Sequence, residues 1–108
     1  MDVTLSLEEE NIKSLLTTQQ HDQLYHIIKE SISNIIKHAG ATEVTVAIRF
    51  EKDECIFSIA DNGKGFKNEL AVSGIGLQSM KKRIKDLNGE LNIHSPLMGT
   101  TIEGWFPI

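Results

Sequence analysis

The sequence has one cysteine, no excess of positive charge and no long apolar run, and each shortage excludes a class of protein. With Cys55 alone among 108 residues, an intramolecular disulfide and a thiolate metal cluster are excluded, as is usual in a reducing cytosol. A net charge of −4 provides no basic field for nucleic acid. No stretch approaches the roughly 18 apolar residues of a membrane span. We therefore expect a cytoplasmic, monomeric fragment that does not itself contact a membrane, whereas a parent protein could be anchored in one.

Length and hydropathy patterning predict a single α+β domain over residues 1–108. A chain of this length with 40% hydrophobic residues fits one globular core and leaves no room for a second. Segments with strand and helix periodicity follow each other in the order β-α-β-β-α-β-β. Because only two helices accompany mostly hairpin-linked strands, we expect a two-layer α/β sandwich. Its sheet is mixed but mostly antiparallel, and its helices pack on one face.

The strongest helical signal runs from about Thr18 to His38. Thr17 and Gln20 have the spacing of a capping box at its start, and Gly40 can supply a left-handed C-cap after it. Apolar residues recur between these ends at steps of three and four, which predicts one buried stripe: Leu24, Ile27, Ile28, Ile32, Ile35, Ile36 and Ala39.

A polar row borders this stripe. Glu30, Asn34 and His38 lie four residues apart, so they share one helix face about 110° from the centre of the apolar stripe. Carboxylate and amide oxygens are hard ligands of the kind that Mg²⁺ takes together with phosphates. For His38 alone, a helix C-terminal position is also favoured simply by the helix dipole.

A predicted strand ends in a turn at Asp61, Asn62 and Gly63, residue types that favour turns. Steps of two from Phe57 place the Asp61 carboxylate on the same sheet face as the apolar side chains, directed toward the core layer. An inward carboxylate needs a donor. It either caps the turn by accepting from the following amides, or it accepts the amino group of a ligand. Gly63 and Gly65 would let that ligand lie directly on backbone.

A second pair of glycines, Gly74 and Gly76, opens the next helix at Leu77. The first amides of a helix and its positive dipole end bind anions such as phosphate. Neither glycine pair continues into a dinucleotide fingerprint. The combination nevertheless can enclose one nucleotide, with the base at Asp61, the metal at Asn34 and the phosphates at the helix start.

Four motifs in this order resemble those of the Bergerat-fold ATP-binding domain, which sensor histidine kinases share with DNA gyrase, mismatch-repair ATPases and ninety-kilodalton heat-shock chaperones. Residues 30–39 (ESISNIIKHA) resemble the asparagine box, 61–66 (DNGKGF) the first glycine box, 74–77 (GIGL) the second and 99–101 (GTT) the last. Three stretches are most similar to the nitrate-sensor and DesK-like branch of histidine kinases: the asparagine box with its KHA at 37–39, the helix at 74–84 (GIGLQSMKKRI) and the turn at 87–89 (LNG). The lid of only seven residues, 67–73, fits this short-lid branch.

The resemblance implies a role for each matching residue. Asn34 would be the Mg²⁺ ligand and Asp61 the acceptor for adenine. Glu30 would orient Asn34 or the waters of the metal, since a kinase has no use for an efficiently activated water. The remaining nucleotide contacts implied are Lys37 and His38 near the phosphates, the lid and phosphate residues Gly63, Gly65, Gly74, Gly76 and Leu77, and Thr101 beside Asp61 or a bridging water.

The implied function is that of a histidine kinase catalytic domain, which binds Mg-ATP and donates the γ-phosphoryl group to a histidine on a separate dimerisation domain. A response regulator would then be the downstream partner. No histidine of this chain lies in a phosphoacceptor-like helix, so the isolated domain would not phosphorylate itself. Two alternatives share the fold: an anti-sigma-type serine kinase, and a nucleotide-gated binding module without turnover.

Overall fold

A five-stranded sheet with two helices on one face forms the described part of the chain. The computed structural model describes residues 2–7, 15–36, 40–63, 77–94 and 99–108. The strands are β1 (Asp2–Leu7), β2 (Glu43–Glu51), β3 (Glu54–Asp61), β4 (Glu90–His94) and β5 (Thr100–Pro107), and the helices are α1 (Thr18–Asn34) and α2 (Leu77–Asp86). The sheet order is β1-β2-β3-β5-β4, in which β1 pairs parallel to β2 and every other neighbour is antiparallel. The predicted fold class and element order are confirmed.

The core lies between the helices and the face of the sheet that they cover. Alternate residues of the central strands point into it, as the period of two predicts. The core consists chiefly of Leu24 and Ile27 from α1, Ile35 directly after it, Met80 and Ile84 from α2, and Val44, Val46, Phe57, Ile59, Ile102 and Phe106 from the sheet. Burial of each such side chain is worth about 1.5–3 kcal/mol, so this layer fixes the helices on the sheet.

Helix α1 begins as predicted and departs from the prediction at its other end. Thr17 accepts from the Gln20 amide at 3.1 Å, and the Gln20 side chain accepts from the Thr17 amide at 2.9 Å, which completes the capping box. Regular α-helix ends at Asn34 rather than at His38, because Ile35 and Ile36 form a wider turn. The wider turn breaks the 3.6-residue period. Ile36 is therefore 60% exposed, and its prediction as a core residue is wrong.

Two contacts show how the helices lie relative to each other. The Ser31 hydroxyl, which donates to the Ile27 carbonyl at 2.7 Å, also lies 3.3 Å from the Met80 sulfur. Farther along, the Arg83 guanidinium donates to the Gln23 side chain at 2.7 Å. Residue numbers fall along α1 while they rise along α2, so the helices are antiparallel. The C-terminal end of α1 consequently lies beside the N-terminal end of α2.

Strand β1 is less covered than its alternation predicts. Val3 and Leu5 are 53% and 60% exposed, although they pair in register with the buried Val44 and Val46. The helices cover the central strands and leave this edge open, so alternation alone does not bury these two side chains. An apolar groove of about 400 Å³ runs between β1 and α1, past Tyr25. In the described part of the chain, no helix is both long and apolar enough to cross a membrane.

Candidate functional site

The predicted site residues that the structure describes gather at one end of the sheet. Asp61 ends β3, where it pairs in register with Val44 near the start of β2 and with Thr100 at the start of β5. The end of α1 is connected to the same edge, since residues 40–42 lead directly into β2. The antiparallel helices bring the start of α2 to this end as well. One strand end and two helix ends therefore converge.

The two oxygens of the Asp61 carboxylate have different surroundings. Oδ1 accepts from the Gly63 amide at 2.7 Å, so the turn-cap interpretation is confirmed for that oxygen. Oδ2 is buried and has no hydrogen-bond partner among the described residues. Burial raises the pKa of Asp61, while the backbone N–H groups of Gly63 and Thr100 oppose this rise.

An unpaired buried acceptor of this kind is destabilising by about 1–3 kcal/mol. Native proteins pair the great majority of buried polar atoms, and exceptions concentrate where a ligand or water completes the set. The Asp61 Oδ2 atom is thus a ready acceptor for a donor group that enters from outside the chain. That this oxygen accepts the amino group of a ligand remains a prediction.

Gly99 fixes the strand end from the β5 side. Its φ is +80°, and a Cβ built there would lie 2.6 Å from the Asp61 carbonyl oxygen. Its amide donates to the Gly63 carbonyl at 2.7 Å. Only glycine combines this left-handed backbone with so close an approach, so the last motif holds the turn that carries Asp61.

Asn62 fixes the same turn from the β2 side, and it does so through its side chain. Its Oδ1 accepts from the amides of Thr42 and Glu43, both at 2.9 Å, and its Nδ2 donates to the Thr42 hydroxyl at 2.9 Å. Positive φ values among the described non-glycine residues occur at Lys52, Asp53 and Asn88. Asn62 therefore does not use the left-handed conformation that asparagine tolerates, and its part in the turn comes from its side-chain contacts.

The structure places Thr100, rather than Thr101, opposite Asp61. Thr101 pairs with Ala60, and because successive side chains of a strand point to opposite faces, its side chain lies on the other face of the sheet from Asp61. The prediction that Thr101 lies beside Asp61 is wrong. Thr100 is buried on the core face of β5, where its amide acts on the Asp61 carboxyl.

The polar row on α1 is buried more deeply than a border position. Asn34 is only 4% exposed, and Glu30, one turn earlier, is half-buried. Asn34 ends the helix at the point where α2 begins. Helix α2 is described from Leu77 onward, and its N-terminal end, which is the positive end of the helix dipole, lies on the side of Asn34.

Five predicted contacts lie outside the described residues: Lys37, His38, Gly65, Gly74 and Gly76. Within the described residues, no group of three or more histidine, cysteine, aspartate or glutamate side chains is placed to hold a metal ion. Mg²⁺ usually takes most of its ligands from water and phosphates rather than from a cage of side chains.

Sequence reasoning missed two residues that shape the site. Thr100 was passed over for its neighbour, although counting by two from the core positions Ile102 and Phe106 would have put it on the inner face. The contacts of Asn62 join residues nineteen and twenty positions apart, so no local sequence pattern predicts them. The one available signal was that Thr42 and Glu43 begin the strand that neighbours β3.

Comparison with known proteins gives relatives over most of the chain. Sensor histidine kinase LiaS of Bacillus subtilis is 37% identical over 89 residues, which are 81% of this chain and 25% of that protein. The signal transduction histidine-protein kinase/phosphatase DegS of the same organism is 37% identical over 92 residues, 81% of this chain and 24% of its own length. The chain thus spans about a quarter of the length of the curated relatives it matches.

The fold comparison and the family model agree with these relatives. The histidine kinase domain of the Escherichia coli osmosensor EnvZ superposes with a TM-score of 0.75 at 16% identity, covering 98% of this chain and 74% of that one. At that identity the likeness concerns the fold alone. The model of the histidine kinase-, DNA gyrase B- and HSP90-like ATPases matches residues 19–108, from α1 through β5. The chain belongs to this family of ATPases.

Proposed function

We propose that this domain binds Mg-ATP and donates its γ-phosphoryl group to a histidine on a separate dimerisation domain, in two-component signalling. The observation that carries the proposal is the Asp61 Oδ2 atom, which is buried and has no hydrogen-bond partner in the described part of the chain, at the end of the sheet where α1 ends and α2 begins. Relatives named as sensor histidine kinases support the choice of reaction.

Asp61 would recognise the adenine base. Its Oδ2 accepts the exocyclic amino group, whereas guanine would present a carbonyl oxygen to the same atom. Oδ1 already accepts from Gly63, so the carboxylate cannot turn away from the base without breaking the cap of the turn. A hydrogen bond to a charged acceptor is worth about 1.5–3 kcal/mol, which is enough to select the base.

The phosphates would lie at the converging helix ends. The first amides of α2, from Leu77 onward, can bind phosphate oxygens. Asn34 would supply a side-chain oxygen to Mg²⁺, and Glu30 would orient that amide or the waters of the metal. Mg²⁺, when bound, neutralises charge on the transferring phosphoryl group. Lys37, His38, Gly65, Gly74 and Gly76 are proposed as the further phosphate and lid contacts.

This division of labour suits phosphoryl transfer. The reaction needs mainly positioning and charge neutralisation, so a domain that holds Mg-ATP can rely on a partner for the nucleophile. The dimerisation domain supplies the histidine, and a response regulator receives the phosphoryl group afterwards. Among the described histidines, His21 and His26 lie on the first half of α1, and His94 ends β4, where it pairs in register with Thr101. None of these three is the proposed phosphoacceptor, which the dimerisation domain supplies.

Labelling with γ-³²P-ATP tests the proposal. The chain alone should stay unlabelled, and a stable stoichiometric label on any of its residues would contradict the assignment. With a histidine-bearing dimerisation domain added, label should appear on that domain and be lost in acid, because phosphohistidine is acid-labile. An acid-stable label would favour a serine kinase. Binding of ATP without transfer to any added domain would favour a nucleotide-gated module.

Calorimetric titration separates the metal role from the base role. Asn34→Ala should lower the affinity for Mg-ATP far more than the affinity for adenosine, since adenosine carries no phosphate for the metal to bind. An equal loss for both ligands would show that the substitution acts through the packing of a residue that is 4% exposed, and the metal role would be wrong.

A further inference from the structure

We propose that Asn62 is a positioning residue for base recognition, which holds the Asp61 carboxylate in register with the site by tying the turn to the start of β2. The inference rests on the proposed function, since it assigns Asn62 a part in selecting adenine over guanine. It does not make Asn62 a ligand contact.

The side chain of Asn62 uses its hydrogen-bonding groups across the sheet rather than within its own turn. Its Oδ1 accepts two amides, those of Thr42 and Glu43, and its Nδ2 donates to the Thr42 hydroxyl, all at 2.9 Å. The backbone N–H of Asn62 also donates to the Glu43 carbonyl at 3.3 Å. All four bonds go to Thr42 or Glu43 at the start of β2, so the side chain acts as a clamp between two strands.

This clamp is placed where it can control Asp61. Asp61 and Gly63 flank Asn62 in the turn. The Gly63 amide donates to the Asp61 Oδ1 atom at 2.7 Å. On the opposite side of the turn, Gly99 donates to Gly63 at 2.7 Å. The turn is thus held from β5 by backbone and from β2 chiefly by a side chain. Removing the side chain leaves the Gly99 contact and the longer backbone bond to Glu43, so the carboxylate can shift or rotate.

The clamp has a second effect on the site. Thr42 follows Gly40 and Ala41, the described residues that lead from the α1 side into β2. Its carbonyl also accepts from the Asp2 amide at 2.8 Å, so the dipeptide is anchored on its far side too. Asn62 therefore fixes the distance between the Asp61 carboxylate and the start of β2, the strand that follows α1 in the chain.

The ratio of ATP to GTP affinity is the readout, because a merely structural role would lower both affinities together. In Asn62→Ala, we expect the preference for ATP over GTP to fall roughly threefold to tenfold. The hydrogen bond from adenine is lost or weakened when its acceptor, the charged Asp61 carboxylate, is no longer held in place. Asn62→Asp keeps an acceptor for both amides and should retain the ratio within about twofold. The added charge acts on both triphosphates alike and cancels in the ratio.

Two controls separate positioning from stability. Thr17→Ala removes the capping box at the far end of α1, so it should lower Tm and leave the ratio unchanged. In an Asp61→Asn background, Asn62→Ala should have no further effect on the ratio, because the double-mutant cycle then lacks the acceptor through which Asn62 acts. If Asn62→Ala does not fold, Asn62→Ser replaces it, since the shorter hydroxyl cannot span two amides.

An unchanged ratio in Asn62→Ala would overturn the inference while leaving ATP binding intact. An equal loss of the preference for ATP in Asn62→Ala and Asn62→Asp would also overturn it, since the side-chain oxygen at position 62 would then be irrelevant. Failure of the proposed function is a distinct result: the unsubstituted chain would show no preference for adenine nucleotides at all.

Discussion

Asp61→Asn should separate ligand recognition from the stability of the empty domain. The Gly63 amide, 2.7 Å from Oδ1, requires an acceptor, so the asparagine places its oxygen there and its NH₂ at the position of Oδ2. A donor then faces the amino group of adenine, whereas guanine presents a carbonyl oxygen to it. Loss of a charged hydrogen bond worth about 1.5–3 kcal/mol lowers ATP affinity by about tenfold to a hundredfold.

The empty domain should respond in the opposite sense. Burial raises the folded-state pKa of Asp61, so the stability contributed by its protonated form is present below the unfolded pKa and is lost as pH rises through the folded value. At neutral pH the ionised carboxylate is therefore disfavoured by burial. Asp61→Asn removes that charge and keeps the turn, so the free energy of unfolding should be unchanged or higher.

Calorimetry with ATP, GTP and adenosine, together with urea unfolding in the absence of nucleotide, measures both effects. Asp53→Asn is the matched control, because it removes the same charge from an exposed hairpin turn whose φ of +64° asparagine accepts. Unchanged ATP affinity with an unchanged preference over GTP would refute the reasoning. Asp61 would then be a turn cap only, and the base would bind elsewhere.

Three further outcomes are expected. Adenosine affinity should fall as the pH is lowered through the pKa of Asp61, which burial raises, and therefore at higher pH than an ordinary aspartate would cause, because protonation at Oδ2 turns the acceptor into a donor. Asp61→Asn should show a flat profile, and a fall that persists there would exclude Asp61 as its source. Gly99→Ala should destabilise more than Gly40→Ala in urea unfolding, because both glycines have positive φ but only Gly99 would place a Cβ against backbone, at 2.6 Å; equal losses would mean that the chain relaxes freely there. Cys55, whose pKa burial raises to about 12, should resist a thiol reagent in the native state and react in urea; rapid native labelling would contradict its burial.

Features with local causes were predictable from the sequence. The capping box at Thr17 and Gln20 depends on residues three apart, and the order of helices and strands along the chain depends on periodicity within short segments, so both could be read without tertiary information. The left-handed Asn88 at the end of α2, with φ of +61°, belongs to the same class. The inward direction of Asp61 also follows from counting along one strand.

Features that depend on register or on a neighbouring element were not predictable. Thr101 looked equivalent to Thr100 until the pairing of β5 with β3 placed only Thr100 opposite Asp61. The burial of Asn34 depends on how closely α2 packs, and the exposure of Ile36 depends on a wider helical turn that its apolar residues do not encode. The contacts of Asn62 arise only after β2 and β3 have paired.

The parallel pairing of β1 has a consequence for the order in which the domain forms and opens. Its partner β2 is separated from it by the 35 residues between Leu7 and Glu43, whereas β2 and β3 are joined by a two-residue turn. Closing the longer loop requires α1 to be in place, so β1 should dock last. With Val3 and Leu5 largely outside the core, its amides should exchange with solvent well before those of β3, as one separable unit of the native state.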